Sequence, residues 1–209
     1  AEECARLNAK GDPEVRYIPP AVGRRAGTQT LYEAYLSYST GLYPSNMEFF
    51  DRLLNRDNAR VVGEQVIDVE PLDIALGRED VVMVKFMKLD AEGAELDILL
   101  GAGRILRDPR LFGILAEYRF HPEINGSPPF WQMDQFLQSE GFRLFDLSSN
   151  PQSRRDLPYP GIMDYFLPDG ERFYAYTEHG QVMDGDALYF RDLLLPANRE
   201  LADSLEPLD

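Results

Sequence analysis

Two carboxylates, Asp90 and Glu92, stand where a mostly apolar run gives way to a helical pattern, and a third, Glu117, closes the next apolar run. Carboxylates gathered at strand ends can accept a proton from a substrate or hold a hard cation through oxygen. His121 follows Glu117 by four residues and is one of 2 histidines, the side chain that titrates near neutral pH. Each residue also has a plainer reading. Asp90 reads equally as a helix N-cap, and Glu92 as an acid favoured by the helix N-terminus, effects of roughly 0.5–2 kcal/mol. Glu117 could simply pair with Arg119 or Lys88, and an isolated loop histidine such as His121 is more often a surface residue. His179, in the turn-like Glu178-His179-Gly180, reads as a turn residue.

The elements that must position these groups alternate. A strand ending at Asp90 is followed by Ala94, Leu96, Leu99 and Leu100, whose spacing predicts a helix over Glu92 to Leu106, broken near Asp108-Pro109; a strand over Leu111 to Tyr118 comes next. Asp90 and Glu117 would then end neighbouring parallel strands, at the carboxyl edge where open α/β sheets bind ligands. Upstream, the pattern predicts a helix over Glu2 to Ala9, a strand over Val15 to Ile18 stopped by Pro19-Pro20, a helix over Met47 to Leu54, a strand over Val61 to Val69 and a short helix over Pro71 to Leu76. Residues 24–46 read as an excursion over the sheet, serving as a lid. The spacing of three between Tyr32, Tyr35 and Tyr38 is that of one buried helix face, with stacking on an acceptor, alongside Tyr43, as the alternative.

Downstream, a helix over Phe130 to Ser139 is stopped by Gly141, and a strand over Phe142 to Leu147 follows. After a loop from Ser148 to Pro160, strands over Asp164 to Leu167, Arg172 to Thr177 and Ala187 to Arg191 suggest an antiparallel edge, with turns at Pro168-Asp169-Gly170 and Asp184-Gly185-Asp186. The last of these reads as a hairpin turn, since it lacks the ligand series of a calcium loop. Residues 1–196 are expected to form one α/β domain, and 197–209 an acidic tail.

The run Lys88-Leu89-Asp90-Ala91-Glu92-Gly93-Ala94-Glu95 closely resembles the signature of FkbM-type methyltransferases, S-adenosylmethionine-dependent O-methyltransferases with a Lys-x-Asp-x-Glu-Gly-x-Glu core. Gly113-Ile114-Leu115-Ala116-Glu117 is similar to the next strand of that family, which also ends in glutamate. The Ile18-Pro19-Pro20-Ala21-Val22-Gly23, Ser39-Thr40-Gly41-Leu42-Tyr43-Pro44-Ser45-Asn46 and Val66-Ile67-Asp68-Val69-Glu70-Pro71-Leu72-Asp73 segments resemble family segments too, so the likeness spans most of residues 1–120.

The resemblance implies a Rossmann-like class I methyltransferase sheet, α/β and mostly parallel with an antiparallel C-terminal edge, that methylates a hydroxyl of a small molecule or saccharide. Asp90 and Glu92 would shape the methyl end of the cofactor and the acceptor, Glu117 would serve as base or divalent-metal ligand, His121 is a further candidate base, and Ala21 would lie near the adenine. The family pattern also begins with a strand, a glycine-rich loop and a second strand ending in an acid. No such loop precedes Ala1, and Gly101-Ala102-Gly103 sits at a helix end, where close packing is its reading. The expectation is therefore a C-terminal part of the domain with its N-terminal strands absent, binding S-adenosylmethionine poorly and exposing an apolar sheet edge and face that a partner or a second copy would cover. The competing readings are a non-catalytic binding or assembly module, and a metal-dependent hydrolase using the same acids.

Composition agrees with an ordinary globular chain: 209 residues, 44% hydrophobic and 11% aromatic. A net charge of -15, from 21 basic against 36 acidic residues, argues against nucleic acid and anionic membrane as partners, because both demand a cationic footprint. No apolar run approaches the roughly 20 residues that cross a bilayer, and no basic-then-apolar leader opens the chain. The single cysteine, Cys4, rules out an internal disulfide framework, which makes a reducing cytoplasm the expected compartment.

Overall fold

The computed structural model describes residues 2–53, 56–154, 164–166, 172–174 and 177–204. The chain opens with α1 (Glu2–Lys10), whose acids lie in its first turn and whose Lys10 lies in its last, as the helix dipole favours. Val15 to Ile18 do not form the expected strand; the following Pro19-Pro20 offers no N–H groups to a ladder, and pairing begins instead at β1 (Ala21–Gly23). β2 (Gly27–Ala34) then occupies much of the stretch read as a lid, and it runs antiparallel to β3 (Val61–Pro71), while β1 runs parallel to β3 on its other side. Tyr32 therefore sits in a strand, and Tyr35 and Tyr38 are exposed, so the three tyrosines do not share a buried helix face.

Between these strands lies α2 (Met47–Phe50), shorter than expected, with the Asn46 side chain accepting from the Phe49 N–H at 3.2 Å. α3 (Leu72–Arg78) leads on to β4 (Phe86–Leu89), and the single helix expected after it is two, α4 (Glu95–Leu100) and α5 (Gly103–Arg107). The break has a packing cause. At Gly101 a Cβ would overlap the Gly23 carbonyl oxygen and stand 3.3 Å from Pro71 Cα, so the chain turns where the first sheet touches the helix end. The restart is capped from a distance: Asp73 accepts from the backbone N–H groups of Arg104 at 2.6 Å and Ile105 at 3.1 Å.

β5 (Gly113–Arg119), α6 (Phe130–Ser139) and β6 (Phe142–Leu147) follow as expected, and Gly141, at φ 88, ends α6 in the left-handed conformation glycine tolerates. β7 (Asn150–Gln152), β8 (Asp164–Phe166), β9 (Arg172–Tyr174) and β10 (Gln181–Arg191) complete the strands. The main sheet has the order β4-β5-β10-β6, with β7 also on β10. β4 and β5 are parallel, and β10 is antiparallel to β5, β6 and β7.

The sheets are thus mixed rather than mostly parallel. The antiparallel strand lies inside the main sheet, not at its edge, and β8 pairs with β9 apart from it. The turn expected at Asp184-Gly185-Asp186 is the interior of β10. Gly185 permits this, because a side chain there would overlap the Ser148 carbonyl oxygen. The described residues end in α7 (Arg199–Ser204), preceded by Asn198, which is buried and donates to Asp192 O at 2.7 Å. Leu54, the loop over 155–160, the strand ends expected at Leu167 and 175–176, the turn at Pro168-Asp169-Gly170 and tail residues 205–209 lie outside the described residues.

One face of the main sheet carries the core. Met87 and Leu89, Ile114, Ala116 and Tyr118, and Ala187 and Tyr189 alternate inward along their strands and meet Leu99, Leu106 and Leu137 from the helices. Each large apolar side chain so buried contributes about 1.5–3 kcal/mol. The opposite face carries a run of ring contacts from Phe86 through Phe112 and Phe190 to Phe145, with Phe145 73% exposed. No described helix is long and apolar enough to cross a membrane.

Candidate functional site

Asp90 follows the end of β4, and Glu117 lies within β5 just past the last β4–β5 pair, Leu89 with Ala116, two residues before β5 itself ends. Glu92 reaches the same rim from the turn between β4 and α4. It holds a left-handed backbone, φ 49, followed by Gly93 at φ 95, and this pair of residues swings the chain round before the helix starts at Glu95. Helix α4 begins three residues later than expected, so Asp90 is not its cap. The N-cap is Ala94, which has no side-chain acceptor. Glu95 takes over that work: buried, it turns its Oε1 back to accept from Ala91 N–H at 2.8 Å and Gly93 N–H at 3.3 Å.

One carboxylate oxygen from each of Asp90, Glu92 and Glu117 lies within 4.8 Å of those of the other two. Their charges are met by two cations. Lys88 Nζ donates to Asp90 Oδ2 at 2.8 Å in the open, whereas Arg119 is buried and its Nη2 donates both to Glu92 Oε2 at 2.8 Å and to Glu117 Oε2 at 2.9 Å. The ordinary reading of Glu117 as a partner for Arg119 therefore holds alongside its place at the rim. Two further acids surround the guanidinium. Glu123 Oε1 is 3.8 Å from Arg119 Nε, and Asp184, directly opposite Arg119 on β10, accepts from Asn150 Nδ2 at 2.8 Å.

Acids exceed cations here, and the site's protonation follows. Burial pushes the Glu92 carboxyl up to about 7, with Arg119 pulling it back and Glu95 and Asp90 adding to the rise. Glu117 is raised in the same way to about 8, again by burial first. Burial works against the charge on Arg119, but Glu117, Glu92, Glu95 and Glu123 outweigh it and its net shift is upward. Carboxyl groups poised near neutrality in this way are suited to exchange protons with a bound ligand.

The walls come from residues distant in the chain. Gly41 packs so closely on the signature turn that a Cβ would stand 2.8 Å from Glu92 Cβ. The segment that contains it is tied down by Tyr43 Oη donating to Asp97 Oδ2 at 2.6 Å and Asn46 N–H donating to Glu123 O at 2.7 Å. Ser127 Oγ closes the other side, donating to Gly93 O at 3.0 Å. His121 faces elsewhere. Its ring stacks on Phe49, centroids 5.7 Å apart, and its Nε2 lies 3.1 Å from Val182 O and 2.8 Å from the Gln181 amide. Ala21 begins β1 opposite Val69, and His179 lies in the bend before β10.

A family model described as the methyltransferase FkbM domain matches residues 6–144, from α1 into β6. The chain belongs to the FkbM methyltransferase family. Neither the curated proteins nor the solved structures give a match. The family span reaches beyond residue 120, and the rim built by β4, the β4–α4 turn and β5 lies wholly within it.

Sequence reasoning on this FkbM chain brought Asp90, Glu92 and Glu117 together, as the structure does. It placed Arg119 only as an ordinary partner for Glu117 and passed over Glu95, Glu123 and Asp184. Arg119 and Glu95 carried a usable signal: one shares a strand face with Glu117, the other is an acid inside an apolar helical face. Asp184 had none, since its position opposite Arg119 depends on β10 entering the middle of the sheet.

Proposed function

We propose that the protein is an S-adenosylmethionine-dependent O-methyltransferase acting on a hydroxyl of a small molecule or saccharide. The observation that carries this reading is the convergence of Asp90, Glu92 and Glu117 at the rim where β4 ends beside its parallel neighbour β5, in a chain of the FkbM family.

The residues present fit one part of the methyl donor. Its sulfonium is a cation, and the rim offers three carboxylates against Lys88 and Arg119. When bound, the donor supplies an electrophilic methyl group. Asp90 and Glu92 would face its sulfonium, and Ala21 would border the adenine. Glu117 would accept the hydroxyl proton of the acceptor, and Arg119, fixed between Glu117 and Glu92, would hold both carboxylates in place. Gly41 and Ser127 close the flanks of the signature turn.

The test measures methyl transfer from labelled S-adenosylmethionine to a panel of sugars and hydroxylated small molecules, together with calorimetric binding of the cofactor. Labelled methyl ether, with its formation lowered at least about a hundredfold by Glu117→Gln, supports the reading. Label on nitrogen or carbon, or full activity in Glu117→Gln, overturns it. A protein that takes up no cofactor and methylates nothing on the panel favours a binding module instead.

A further inference from the structure

We propose that Asp90, Glu92 and Glu117 hold a hard divalent cation, and that Arg119 passes from Glu92 and Glu117 to Glu123 as the ion enters. The donor set is all carboxylate oxygen, with no imidazole or thiolate, which selects ions of the Mg2+, Mn2+ and Ca2+ kind. Each ligand has one oxygen engaged by a cationic side chain, Oδ2 of Asp90 by Lys88 and Oε2 of Glu92 and Glu117 by Arg119. The second oxygen of each makes no hydrogen bond among the described residues.

The independent observation is Glu123. Its side chain is 97% buried, at 3% relative exposure, yet neither carboxylate oxygen has a hydrogen-bond partner. A buried carboxyl without a side-chain hydrogen bond is a costly arrangement that calls for a partner. Glu123 faces the Nε side of the same guanidinium whose Nη2 is shared by Glu92 and Glu117, with Oε1 3.8 Å from Nε. That distance is just beyond hydrogen-bond reach, so a shift of about 1 Å would close it. Arg119 is the placeholder in this arrangement. It compensates Glu92 and Glu117 without an ion, and with one bound it moves to Glu123, whose carboxyl then gains the partner it lacks.

The inference does not depend on the methyltransferase reading, because its measurement is binding itself. Isothermal titration of the full chain, first stripped with chelator, with Mg2+, Mn2+ and Ca2+ chlorides should show saturable 1:1 binding to at least one ion and a matching rise in Tm. Asp90→Asn, at an exposed ligand whose loss leaves the core intact, should weaken binding at least about tenfold, and Glu92→Gln and Glu117→Gln should abolish it. Glu123→Gln removes no ligand and should weaken binding about tenfold by depriving Arg119 of its second position. Absence of saturable binding to all three ions, or binding indifferent to Asp90→Asn and Glu117→Gln, overturns the site. An unchanged affinity in Glu123→Gln overturns the exchange.

Discussion

Arg119 and Glu117, two residues apart on one face of β5, are joined Nη2 to Oε2 at 2.9 Å, and the same nitrogen also reaches Glu92 at 2.8 Å. A single buried guanidinium thus holds together two acids that arrive from different elements. Replacing it leaves buried carboxylates facing one another without a cation. Arg119→Met is expected to lower stability by about 3–5 kcal/mol above about pH 8, where the Glu117 carboxyl is charged, read as a urea-denaturation midpoint. The loss should shrink on acidification, as the stranded carboxyls take up protons.

Glu123 sets a pH dependence of defined sign. Burial raises its carboxyl from 4.5 to about 8, with Arg119 drawing it part of the way back. Between those values the folded protein keeps a proton that the unfolded chain has released, so stability is fullest below about pH 4.5 and declines as pH rises towards about 8. Asp184, also raised by burial, acts in the same direction. Glu123→Gln should flatten the slope in a series of denaturation curves across this window. A slope identical to that of the parent protein would refute the assignment.

Gly101 and Gly103 should respond in opposite ways to the same substitution. Gly101→Ala drives a Cβ into the Gly23 carbonyl and against Pro71 Cα, both backbone, and is expected to cost about 1–3 kcal/mol. Gly103→Ala meets only the tip of the Arg107 side chain, 3.5 Å away at its nearest, and should stabilise α5 by roughly 0.5–1 kcal/mol. Thermal melts of the two variants separate the effects, and equal shifts would contradict them.

Glu95 holds the signature turn. Glu95→Ala removes the acceptor for Ala91 N–H and Gly93 N–H and should cost roughly 2–3 kcal/mol. Amide hydrogen exchange should accelerate at residues 91–94 well before it does in β5. Uniform acceleration across the sheet would mean that Glu95 supports the core rather than the turn.

Local patterns were legible where one element could satisfy its own preferences. The boundaries of α6 and β6 follow directly from the apolar period of Phe130 to Ser139, the stop at Gly141 and the run from Phe142 to Leu147. The family signature and two of the three rim carboxylates, Asp90 and Glu92, were visible for the same reason: strand end, glycine and helix start lie within eight consecutive residues, while Glu117 was visible as the acid closing the next apolar run. Local reading failed where distant chain intervenes. The helix expected over Glu92 to Leu106 breaks because Gly23 and Pro71 press on Gly101, and the excursion over residues 24–46 becomes largely β2 because β3 offers it a partner.

By itself, then, the sequence determined an alternating α/β chain of the FkbM family with acids at one strand edge, since period, glycine placement and charge are properties of short segments. Only the tertiary structure decided that β10 runs inside the sheet, that Asp184 stands opposite Arg119, and that one guanidinium serves Glu92 and Glu117 with Glu123 3.8 Å from its Nε. These relationships join residues that local preference does not couple. They are set by which strands pair and by the need to compensate every buried charge, and both are settled only when the whole chain has packed.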